Sequence, residues 1–226
     1  MPENWGWRSD ILGSVSAVRP WLLSPLLAFT LSTPVVQAQP AASPLTAAAS
    51  RPEADLGESW LVPSLHSLGL MTVMRGTETY LWPEPFAETS RFGHHYREAF
   101  TRPPLWDSSR PLFEADGDRW QLNVLGHGLF GSELYLRVRV CRKPSWQALL
   151  FTAGASAVWE YGFEANGVRP SALDLVYTPA AGLLLGEGRF RMWRAARRLE
   201  PGTVRTVLTV VLDPLGELER SLGSPC

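Results

Sequence analysis

Apolar positions recur at mixed three- and four-residue spacing between Trp60 and Trp82, at Leu61, Leu65, Leu68, Met71, Val73 and Met74, a pattern that predicts a helix. A second helix is expected from about Asp118 to Cys141. It should stop before Lys143-Pro144, because proline disfavours helical geometry in the residue preceding it. The third runs from Ser145 to about Glu164, with Gly167 and Pro170 closing it. The fourth opens at Ser171-Ala-Leu-Asp174, a pattern that satisfies free backbone N–H groups at a helix start, and continues to about Arg198. Pro179 interrupts it, so either the helix kinks there or Thr178 caps a second segment. Residues 83–118 have no clear period and read as a long ordered loop with at most one short helical turn. Val204 to Leu212 fits a helix or a strand equally, and the tail after Asp213-Pro214 reads as a turn and a short helix. The fold class that follows is all-α, a compact bundle of about four to five helices.

Ahead of this pattern the chain is organised differently. A polar stretch ending in Arg19 precedes the apolar run from Trp21 to Leu31, and Val36-Gln-Ala38 then supplies a small-x-small site before Gln39. That order is a secretory signal peptide over residues 1–38, the alternative being an uncleaved anchor. Residues 39–58, dominated by Ala, Pro and Ser, have the composition of a disordered linker, leaving 59–226 as the helical domain. The implied location is an exported one, periplasmic or outer-membrane associated. The longest runs free of Asp, Glu, Lys and Arg after the leader are 16 residues, Ser59 to Met74 and Pro144 to Trp159, short of the ~20 that a span needs.

Polar residues sit inside these apolar helices at a four-residue period. Asn123, His127, Gly131 and Tyr135 share one helix face, Ser156, Glu160 and Glu164 share another, and Asp174, Thr178, Gly182 and Gly186 a third. Small residues four apart, Gly128 with Ser132, Ala153 with Ala157 and Gly182 with Gly186, let helix backbones approach closely. His127, Glu160 and Asp174 should therefore converge, with Glu164 and Tyr135 one turn away. Imidazole and carboxylates suit acid–base catalysis, a divalent metal or a structural hydrogen-bond network, and the sequence leaves all three open. Cofactor and metal content are thus unknown. No Gly-x-Ser-x-Gly, His-Glu-x-x-His, phosphate loop or Cys-x-x-Cys occurs, and the loop pair His94-His95 reads as solvated.

Charge removes one partner class and suggests another. The formal net charge is −1, and the balance is unchanged when residues 1–38 are set aside, so there is no electrostatic footprint for nucleic acid. Arg189, Arg191, Arg194, Arg197 and Arg198 interleave with Phe190, Met192 and Trp193, a composition that can rest on an anionic membrane surface or simply complement a helix C-terminus. Cys141 and Cys226 are either bridged or free thiols.

The ordered set Asn123-x-x-Gly-His127, Gly131, Tyr135, Arg139, Ser156-x-x-Trp-Glu-Tyr161, Glu164, Pro170-Ser-x-x-Asp174-Leu175, Thr178-Pro-x-x-Gly182 and Gly186-Glu187, with Asp213-Pro214 and Arg220 beyond it, resembles the family catalogued as domain of unknown function 3943. The resemblance runs from about Trp60 to Arg220 and implies an uncharacterised protein of Gram-negative envelopes. Gly128 departs from the proline expected after the histidine. The succession of His, Tyr, Glu and Ser-x-x-Asp also bears a fainter likeness to the VanZ-like membrane proteins. Three functions remain: a helical envelope domain held by a buried polar network, structural or at a membrane surface; a hydrolase or transferase on lipid or cell-wall material using His127, Glu160, Glu164 and Asp174; and an assembly partner of an outer-membrane protein.

Overall fold

A computed structural model describes residues 59–226, and the expected signal peptide and linker lie outside them. Every extended element there is helical: α1 (Leu61–Leu81), the short turn α2 (Pro83–Phe86), α3 (Phe92–Thr101), α4 (His127–Val140), α5 (Ser145–Val158), α6 (Ala172–Ala181), α7 (Glu187–Ala196), α8 (Thr203–Leu212) and α9 (Pro214–Ser221). The all-α bundle is as expected, with more helices than four to five. One of these, α3, falls where a loop was expected: Arg91 to Thr101 holds two histidines, a glycine and a threonine, and only His95 and Ala99 are buried. So thin a buried face leaves almost no apolar period to read. The ambiguous segment after Val204 is helical, as is the tail.

α4 is the central helix, buried continuously from Phe130 to Val138, with α5, α6 and α7 packed around it. Close approach is set by glycine. A Cβ on Gly131 would collide with the backbone carbonyl of Thr178, and one on Gly182 would lie 2.7 Å from the Gly131 carbonyl oxygen. Any side chain at these positions pushes α6 off α4.

Three helices widen into a single π-helical turn: Leu122–Gly126 leading into α4, Trp159–Phe163 following α5, and Gly182–Gly186 joining α6 to α7. The last follows Pro179, so the helix neither breaks there nor restarts from Thr178; it runs through the proline and loosens within a turn. These wide turns explain the four-residue period. Four residues of α-helix overshoot a full rotation by about 40°, so a stripe spaced by four drifts around the cylinder unless wider turns take up the excess.

Ion pairs lock the far end of α4. Arg137 and Asp213, both fully buried, meet at 3.0 Å; Arg220 reaches Asp213 at 2.7 Å, and Arg189 reaches Glu133 at 2.8 Å. His66 of α1 joins through Glu219 at 2.6 Å. Cys141 and Cys226 form a disulfide, with Cα atoms 5.1 Å apart, beside this network. Arg137 and Arg220 both donate to the Cys226 carbonyl.

The helix pattern predicts elements correctly but not always which face turns inward. In α1, Pro63, His66, Ser67, Met71 and Arg75 are buried, whereas Leu61, Leu65, Leu68 and Val73 are exposed. In α8, Thr209 is buried while Val204, Val207, Leu208, Val210 and Val211 face out.

Candidate functional site

The start of α6 organises one end of the bundle. Ser171 caps that helix by accepting from the Asp174 N–H at 3.1 Å, and its own N–H donates to Glu160 Oε2 at 2.7 Å. Its hydroxyl donates to Asp116 Oδ2 at 2.7 Å, and Asn123 donates to the same Asp116 carboxylate at 2.8 Å. The segment before α6 is held by a two-residue bridge between Leu105 and Ser171. Glu160 lies in the π-turn after α5, so the wider turn carries its side chain toward α6.

His127, Glu160 and Asp174 come together here: one donor atom from each lies within 4.8 Å of the other two. His127 Nε2 is 3.5 Å from Asp174 Oδ2, and its Nδ1 is 3.0 Å from the Thr178 hydroxyl. Glu160 Oε1 and Asp174 Oδ1 are buried without a hydrogen-bond partner. Glu164 stands beside this group, lining a small cavity of about 80 Å³ together with His127, Glu78, Asp118, Phe130 and Trp159. That volume holds a few waters or an ion. Tyr135 does not join them, a departure from expectation: it donates to Glu187 Oε2 at 3.1 Å, and Arg139 pairs with the same carboxylate. Two turns of α4 separate it from His127, too far for side chains to meet.

Burial dominates the protonation states. It lowers the His127 imidazole to about 4, against the pull of Asp116. It raises Asp174 to about 9, aided by the neighbouring Glu160 and Asp116, and pushes Asp118 up to about 6. Glu160 and Glu164 are displaced upward for the same reason, Glu160 despite the hydrogen bond from Ser171. At neutral pH His127 and Asp174 are therefore a neutral pair rather than an ion pair. Neutral imidazole is the form that can accept a proton or bind a metal.

Asp116, Asp118 and Glu78 were not singled out in the sequence. The first two lie on the irregular stretch before α4, where no period marks a facing residue, and Glu78 lies on an α1 whose leucines drew the attention to the opposite face. The arginine stretch divides. Arg191, Arg194, Arg197 and Arg198 are exposed, while Arg189 is drawn into the buried network and Trp193 packs partly buried against the cluster of Leu136, Val140 and Phe190.

Residues 112–215 match the sequence profile described as Domain of unknown function (DUF3943), so the chain belongs to that family over this stretch. The match takes in all four candidate residues and is shorter than the range over which the motifs were read. No curated protein and no solved structure matches the chain, and the VanZ-like likeness finds no support.

Proposed function

We propose that this is a helical domain of the bacterial envelope that rests on a membrane surface and encloses a polar centre. The observation that carries the reading is the inversion of α1 and α8, which bury histidine, serine, arginine and threonine and turn leucine and valine outward. Apolar patches this continuous are rare on monomers and mark contact surfaces. Next to α8, the exposed Arg191, Arg194, Arg197 and Arg198 supply the charge that anionic headgroups attract. No described helix is long and apolar enough to cross a membrane, which fits lying on the surface. The Cys141–Cys226 disulfide supports an oxidising compartment, and with it the export read from the N-terminal sequence.

Vesicle flotation tests this. The protein should float with phosphatidylglycerol vesicles, less with phosphatidylcholine, and a Val207→Asp/Val211→Asp variant should stay in the lower fractions while retaining its helical circular dichroism. Wild-type protein that remains unbound to both vesicle types would overturn the reading.

A further inference from the structure

The two ends of the bundle treat buried carboxylates differently. At one end each carboxylate meets a guanidinium: Asp213 has Arg137 and Arg220, Glu133 has Arg189, and Glu187 has Arg139 and Arg191. At the other, Glu160 and Asp174 are 1% and 2% exposed, and among the described residues neither has an arginine or lysine partner. Four more carboxyl groups stand around them, from Asp116, Asp118, Glu164 and Glu78. Of these, Glu78 is paired to Arg75. A buried polar atom with no partner is costly, so an orphan needs an explanation.

The orphans are also aimed. Each donor group has one atom fixed by the protein and another left free. The Ser171 N–H holds Glu160 Oε2, leaving Oε1 unpartnered. Thr178 engages His127 Nδ1, turning Nε2 toward Asp174, whose Oδ1 is unpartnered. Outer partners orient metal ligands in this way. The 3.5 Å between His127 Nε2 and Asp174 Oδ2 is close to the edge of a tetrahedron with ligand bonds of about 2.1 Å, roughly 3.4 Å. The third donor lies within 4.8 Å and needs only a side-chain adjustment of about 1 Å to complete it.

We propose that His127, Glu160 and Asp174 bind one divalent transition-metal ion, with Asp116, Ser171 and Thr178 orienting the ligands. One imidazole with two carboxylates suits Zn²⁺, Mn²⁺ or Fe²⁺, because the nitrogen donor favours these over Mg²⁺ and Ca²⁺. Three protein ligands leave a position open, and the adjoining cavity of about 80 Å³ has room for water there. This inference is independent of membrane contact and stands if that reading fails.

The test is metal content and affinity of the full chain. Protein purified without chelator is analysed by elemental mass spectrometry, then stripped and titrated calorimetrically with ZnCl₂, MnCl₂, MgCl₂ and CaCl₂. One Zn²⁺ or Mn²⁺ per chain is expected, with Mg²⁺ and Ca²⁺ at least tenfold weaker. Glu160→Gln and Asp174→Asn conserve side-chain volume and should each weaken binding at least tenfold while leaving the circular dichroism unchanged. Asp107→Asn, on an exposed loop, should bind as wild type. The proposal is overturned if no Zn²⁺ or Mn²⁺ binds, if Mg²⁺ or Ca²⁺ binds best, or if both conservative variants bind like wild type.

Discussion

Arg137 and Asp213, 76 residues apart in sequence, face each other at 3.0 Å with neither side chain exposed to solvent. Taking two charges out of water is costly, and the pair survives because Arg220, Glu133 and the Cys226 carbonyl satisfy what remains. Removing one partner strands the other: Arg137→Ala or Asp213→Ala should each lower stability by about 3 to 5 kcal/mol. Arg137→Met with Asp213→Leu should cost less than the sum of the single changes. Urea unfolding of the three variants measures this, and strict additivity would show that the two side chains are not coupled.

Gly131 separates packing from helix propensity. Its Cβ would strike the Thr178 backbone carbonyl, which cannot swing aside, so Gly131→Ala should destabilise by about 3 kcal/mol. At Gly128, one turn earlier, the nearest atom to an added Cβ is the Tyr177 hydroxyl at 3.4 Å, ordinary contact. Gly128→Ala should be neutral or stabilising by up to about 1 kcal/mol, from helix propensity alone. Equal unfolding midpoints for the two variants would refute the close approach of α4 and α6.

Acid should loosen the α7–α9 end first. Burial pushes Glu219 up, but the hydrogen bond from His66 and the charges of Arg137 and Arg220 outweigh it and hold the carboxyl below its usual value. Glu187 and Glu217 are lowered by Arg139 and Arg220 in the same balance against burial. A carboxyl lowered on folding stabilises above its unfolded pKa of about 4.5, and that contribution vanishes as pH falls through the folded value. Melting temperature should therefore drop below pH 4.5, and hydrogen exchange in 187–221 should rise before that in α5. Simultaneous loss of protection in both regions would contradict the assignment.

Glu160 accepts the backbone N–H of Ser171, the residue that starts α6. Glu160→Ala leaves this buried donor unpaired and should cost about 1 to 3 kcal/mol. Glu160→Gln retains an acceptor and should cost under about 1 kcal/mol, measured on metal-stripped protein by thermal unfolding. A Gln variant as unstable as the Ala variant would mean that the hydrogen bond is not what the carboxylate supplies.

Much of this was legible in the sequence. The stripe of His127, Glu160 and Asp174 was readable because polar groups at regular spacing in an apolar helix have few reasons to be there, and the cap Ser171-x-x-Asp174 fixed where α6 begins. Asp116 was not legible, since it reaches the cluster from an irregular turn where no periodicity encodes direction. Nor was the burial of Arg137, which lies in a run of alternating arginine and valine that reads as an ordinary helix end until Asp213 and Glu219 return to it. Tyr135 shared the stripe and was misjudged, because spacing gives a face but not a height along the axis. The outward leucines of α1 teach the same limit: apolar periodicity names a helix and leaves open whether protein or something else covers it.

The π-turns make this protein sensitive to residue count as much as to residue identity. Each wide turn acts as a one-residue spacer, and its lettering matters little: Leu183, Leu184 and Leu185 are all at least a third exposed. Deleting any one of them would tighten the turn and rotate everything beyond by about 100°. Glu187 would swing away from Arg139 and Arg189 from Glu133, though no contact residue had been altered. Across relatives, sequence may drift freely in these three pentapeptides, while gaps there should be excluded or matched by compensating insertions nearby.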